Sequence, residues 1–166
     1  IVKSLSSSLE EYTALGRKLY KNPEECYTHG NITLENMMYS EEEDRIYFID
    51  PYEENIIDNS YNEYSQILQS SNSHYEIYND SVPRRKDNSV DSNITVPFGI
   101  SYFNNKFTEY LDEVLSSEEK QMVTFFEISQ FIRMLPFKMH TEKEKMFLFY
   151  GIASKSINNF LKKNSI

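Results

Sequence analysis

Cysteine is nearly absent. Cys26 is the only one, so neither an internal disulfide framework nor a cysteine-rich zinc site can be assembled, and the usage fits a reducing, cytoplasmic setting. Cations are scarce too: 17 Lys and Arg stand against 26 Asp and Glu, a formal net charge of −9. A surface that neutralises nucleic-acid phosphates needs the opposite balance, which argues against a nucleic-acid partner. No apolar run is long enough for a membrane span, and the first residues lack the basic-then-apolar layout of a secretory signal. Glycine occurs four times, at positions 16, 30, 99 and 151, which leaves no glycine-rich phosphate loop to be written. The chain opens on Ile1 rather than Met, pointing to a fragment or a processed chain.

What is present suffices for one domain with a real core: 166 residues, among them 13 Tyr and 11 Phe. Ser7 and Ser8 precede Glu10 and Glu11 with capping-box spacing, and Leu5, Leu9, Tyr12, Leu15 and Leu19 recur every three to four residues. An amphipathic helix over 5–20 is expected, stopped by Asn22-Pro23. Met37-Met38-Tyr39 and Ile46-Tyr47-Phe48-Ile49 flank the acidic stretch from Ser40 to Asp44, which reads as a β-hairpin over 37–50 with a solvated tip. Residues 60–70 look helical. From Asn79 to Thr95 the composition turns to Asn, Asp, Ser and Pro around Arg84-Arg85-Lys86, the pattern of a long mobile loop.

Helices are expected over 103–163. Phe103, Phe107, Tyr110, Leu111 and Val114 mark the first, and a second runs from Ser117 to Leu135. A last helix, separated from the second by Pro136, opens on a Thr141-x-x-Glu144 capping box. With no internal repeat, the expected fold class is α+β, mostly α-helical, with one small hairpin.

The densest polar cluster in a structured region is Thr28-His29-Gly30-Asn31-Ile32-Thr33-Leu34-Glu35-Asn36, followed by Asp50 at the end of the second hairpin strand. Asn31 and Asn36 stand five apart. This is the spacing of the kinase catalytic loop, where a base at the first position faces the acceptor hydroxyl, the second position reaches a magnesium ion, and a hairpin delivers a carboxylate to the same ion. Through THGNITLENMMY, RIYFIDPYEENIID and EYSQILQSS the chain resembles the aminoglycoside phosphotransferase and choline kinase superfamily, over roughly Tyr27 to Ser70.

That resemblance implies a kinase-like C-terminal lobe, with ATP and magnesium as cofactors and a small-molecule hydroxyl, of a sugar, amino alcohol or related metabolite, as acceptor. It makes His29 the loop-shaping histidine, Asn36 and Asp50 the magnesium ligands, and Asn31 the occupant of the base position. Either Asp58 or Glu63 stands for the later acidic residue that braces the loop, and the helix-like sequence after Glu63 favours Glu63. Two departures matter. An amide at position 31 cannot take the hydroxyl proton, which leaves an engineered inactive variant, a natural pseudoenzyme and a slow enzyme as readings. The N-terminal, β-rich lobe that clamps the nucleotide is missing ahead of His29, so that lobe, or another part of a longer polypeptide, is an implied partner.

Other readings stand beside these. The function alternatives are a non-catalytic kinase-like module that binds a nucleotide or metabolite, and a helical interaction domain. Glu41, Glu42, Glu43 and Asp44 read as solvated surface and Arg84-Arg85-Lys86 as a solvated segment, while His74, His140 and Cys26 have no partner arrangement that the sequence argues for.

Overall fold

The computed structural model describes residues 5–20, 23–53, 55, 57–87 and 89–164. Within them the chain is mostly helical. Six α-helices, α1 (Leu5–Leu19), α2 (Ser60–Ser71), α3 (Tyr75–Asp80), α4 (Phe98–Val114), α5 (Ser117–Thr141) and α6 (Lys143–Asn164), accompany two antiparallel hairpins. The first hairpin pairs β1 (Met37–Ser40) with β2 (Arg45–Phe48) in the register Met37 to Phe48, and the second pairs β3 (Arg84–Lys86) with β4 (Ser89–Asp91).

α5 is the central helix because its apolar side chains serve three clusters. Ile128 packs with Tyr12, Ile157 and Phe160, Val123 with Leu68 and Leu111, and Phe131 with Phe149 and Ala153. Tyr12 stacks on Phe125 at 4.4 Å between ring centroids and donates its hydroxyl to the Phe125 carbonyl, tying α1 to α5. α2 is different in kind. Its buried residues include Asn62, Ser65, Gln66, Gln69 and Ser70, a polar face that must find hydrogen-bond partners to be buried at all. Some lie on α5, where Gln130 Nε2 donates to Asn62 Oδ1 and Ser65 Oγ at 3.1 Å each. The others lie on the loop before β1.

Several expectations are corrected. Ser7 and Ser8 do not cap α1, which is already helical at Leu5; Ser8 is buried and donates to Asn158 Oδ1 on α6. α1 ends at Leu19, and the expected stop at Asn22 lies outside the described residues. The segment 79–95 is no long loop throughout: α3 extends to Asp80, and β3 and β4 pair across a turn where Asp87 has φ +51°. The Arg85 guanidinium anchors this hairpin to α6, 4.5 Å above the Phe147 ring. α4 starts at Phe98, earlier than its first expected aromatic, Phe103.

Pro136 does not separate two helices. It sits inside α5, which continues to Thr141 because its last turn is held from outside. Lys138, 2% exposed, bonds Asn79 Oδ1 at 2.5 Å and Glu142 Oε1 at 2.6 Å, contacts that offset the bond a proline cannot donate. Thr141 is therefore not an N-cap but a residue of that last turn, donating back to the Phe137 carbonyl. The capping box that does form is Ser116 with Glu119, at the start of α5.

Glu127 of α5 is fully enclosed, accepting from Asn72 Nδ2 at 2.9 Å and Ser73 Oγ at 2.5 Å. Burial pushes its carboxyl above the ordinary range, and the two hydrogen bonds only partly oppose this. A carboxyl raised on folding lends stability that is complete below its unfolded value and is lost as pH rises through the folded one. Glu127→Gln, which keeps an acceptor for both donors, should flatten the fall of the urea midpoint as pH rises above the ordinary carboxylate range; equal slopes in the two proteins would contradict this.

Candidate functional site

The loop 28–36 is shaped by backbone bonds before any side chain enters. Gly30 has φ +73°, and a Cβ there would lie 2.8 Å from the Tyr52 carbonyl, so the turn requires glycine. Asn36 closes the loop: its Nδ2 donates to the Asn31 carbonyl at 2.8 Å, and a single 3-10 turn over Leu34–Asn36 feeds β1. At the far end of the hairpin Ile49 N–H returns to the Asn36 carbonyl at 3.0 Å. The chain then leaves the sheet at Asp50, whose φ of +57° is in the left-handed region, and Tyr52 N–H lands on the His29 carbonyl at 2.9 Å.

The hairpin thus brings three of the residues singled out in the sequence to one place. Asn31 Nδ2 lies 3.5 Å from both the backbone oxygen and Oδ2 of Asp50, at the limit of hydrogen-bond distance. Asn36 is buried, and because its amide nitrogen is engaged by Asn31, Oδ1 is left for another partner. Asp50 is exposed. A carboxylate and an amide oxygen are hard donors, the kind that hold magnesium together with waters and substrate phosphates rather than in an all-protein cage. No group of three or more His, Cys, Asp and Glu able to hold a metal occurs among the described residues.

α2 grips the loop from beneath. The Glu63 carboxylate accepts the backbone N–H groups of His29 and Gly30, each at 2.9 Å. Gln66 and Ser70, one and two turns along the same face, take Ile32 N–H at 2.8 Å and Leu34 N–H at 3.1 Å. Asp58 braces the first residue of the loop and the segment ahead of it. It accepts from Thr28 Oγ1 at 2.6 Å and from Asn55 Nδ2 at 3.0 Å, and its carbonyl takes Cys26 N–H at 3.0 Å. Sequence reasoning missed Gln66 and Ser70, whose one signal is their spacing from Glu63 on a helical face.

His29 packs edge-on to Phe48, with centroids 6.2 Å apart, and both ring nitrogens are buried without a hydrogen-bond partner among the described residues. On the hairpin itself Tyr39, Ile46 and Phe48 lie on one face and are exposed, while Met38 and Tyr47 are exposed on the other. A groove of about 1300 Å³ runs between α6, the second hairpin and the corner after α2, but no residue of the loop and not Asp50 lines it. The polar constellation, not concavity, marks the loop as the candidate site.

Neither a family model, nor a curated protein, nor a solved structure matches the chain.

Proposed function

We propose that this chain is the catalytic-loop lobe of an ATP- and magnesium-dependent phosphotransferase acting on a hydroxyl of a small molecule, such as a sugar or amino alcohol, with its chemistry impaired by Asn31. The observation that carries the reading is the convergence of Asn31, Asn36 and Asp50 on a loop whose backbone is fixed by Glu63. Asn36 Oδ1 and the Asp50 carboxylate would hold the metal, which when bound neutralises charge on the phosphates. Position 31 faces the acceptor hydroxyl. Its amide orients that hydroxyl by hydrogen bonding but takes no proton, so catalysis rests on positioning. The exposed apolar faces of the first hairpin support a further lobe, or another part of a longer polypeptide, that covers them.

A second reading, a non-catalytic kinase-like module that binds a nucleotide or metabolite, is favoured by one contact. The Asn31 side chain turns its nitrogen toward Asp50, a neutral donor beside a carboxylate. The phosphotransferase reading and the nucleotide-binding form of the second both need the metal pair. Asp50→Ala is expected to weaken magnesium-dependent ATP binding by about tenfold or more, read from amide shifts of Asn31 and Asn36 in a titration with ATP at fixed magnesium. ATP binding indifferent to both magnesium and Asp50 would sink the phosphotransferase and the nucleotide-binding module, leaving a metabolite-binding module or a helical interaction domain.

A further inference from the structure

Among the described residues the loop 28–36 carries no ion pair, and the chain has no disulfide, yet position 31 can serve only if its side chain keeps one direction. We propose that Gln66 is the positioning residue that fixes the direction of the residue 31 side chain. The inference rests on the phosphotransferase reading of that position. Gln66 Nε2 donates to the Gly30 carbonyl at 2.9 Å, and Gln66 Oε1 accepts Ile32 N–H at 2.8 Å. The Gly30 carbonyl belongs to the peptide plane before residue 31 and the Ile32 N–H to the plane after it, and each plane is rigid. With both planes pinned by one side chain, φ and ψ of residue 31 cannot drift independently, so the Cα–Cβ direction of Asn31 is set.

A primary amide offers a donor and an acceptor at the fixed separation this needs at every pH, where a carboxyl does so only while protonated. Glu63 cannot substitute for it. Its carboxylate takes His29 N–H and Gly30 N–H, which belong to the two planes ahead of Gly30 and stop one plane short of residue 31. Ser70 acts beyond the site, on Leu34. Gln66 is 1% exposed, so the burial of its amide is offset only by these backbone bonds.

The test uses the whole chain, with magnesium in the presence of ATP as the probe, and reads two quantities: hydrogen-exchange protection of the Ile32 amide and the magnesium-dependent shift of the Asp50 amide. Gln66→Met should abolish Ile32 protection and weaken magnesium binding about tenfold or more, as loss of outer-shell partners does. Gln66→Glu, read at a pH high enough to ionise a carboxyl that burial raises, keeps the acceptor and loses the donor, so Ile32 protection should survive there while magnesium binding still weakens. Ser65→Ala, which removes a buried hydroxyl that bonds Asn62 and Gln130 but not the loop, supplies the stability control and should move neither. Gln66→Met matching that control in both readouts would overturn the proposal; if Gln66→Met does not fold, Gln66→Glu with unweakened magnesium binding does so. Should the unsubstituted chain show no magnesium response even with ATP present, the phosphotransferase reading falls by itself. Ile32 protection then decides the clamp alone: lost in Gln66→Met, or retained in a folded Gln66→Glu, it supports the clamp, and the reverse overturns it.

Discussion

On the proposed phosphotransferase reading, Asn31→Asp is expected to raise phosphoryl transfer from ATP to a hydroxylated acceptor by about 10²–10⁴-fold, the usual worth of a positioned general base. The two side chains are nearly isosteric, so the loop bonds from Glu63, Gln66 and Asn36, all made to backbone groups, survive the exchange. What changes is the contact with Asp50. An amide nitrogen 3.5 Å from a carboxylate oxygen becomes a second carboxylate, and like charges that close disfavour each other. The variant should therefore be less stable than the parent without magnesium and regain the difference when magnesium is added, a steeper dependence than the parent's. Turnover against a panel of sugars and amino alcohols, with melting temperatures measured with and without magnesium, checks both parts. Nucleotide binding without turnover in Asn31→Asp would favour the non-catalytic module.

The hairpin and the loop ahead of it were legible because their determinants are local. Aromatic and β-branched residues flank an acidic tip, and a glycine stands where φ is positive. The support beneath them was not. Reading a helix by its apolar stripe assigns polar residues to solvent, whereas on α2 Asn62, Ser65, Gln66 and Ser70 face inward. Their partners are backbone groups of the loop more than thirty residues earlier and side chains of α5 more than sixty later, so nothing within a window of sequence announces them. The second hairpin failed to show for a related reason: Arg84-Arg85-Lys86 reads as solvated charge until Phe147 is brought beneath Arg85. Pro136 misled in the opposite sense. Its local rule, that proline breaks helices, yields here to the buried Lys138 two residues further on, whose bonds to Asn79 and Glu142 keep the last turn wound.

The largest loss of stability is expected from Glu63→Gln. Glu63 holds the backbone of the loop entrance, and its two oxygens accept two N–H groups at equal distance. The substitution turns one oxygen into an NH₂ that faces a donor, which leaves either His29 N–H or Gly30 N–H unpaired and sets two donors against each other. Hydrogen bonds to a charged acceptor contribute about 1.5–3 kcal/mol each, so a cost of about 2–4 kcal/mol follows, larger than for an exposed carboxylate. Asp58→Asn provides the comparison within the same protein: Asp58 is exposed and its carboxylate meets side chains, Thr28 and Asn55, that water can serve instead. Its loss should cost less than about 1 kcal/mol. Urea midpoints rank the pair, and exchange of the His29 and Gly30 amides locates the damage. A Glu63→Gln protein as stable as Asp58→Asn, with those two amides still protected, would mean that the loop is held by its own turn at Gly30 and not from α2.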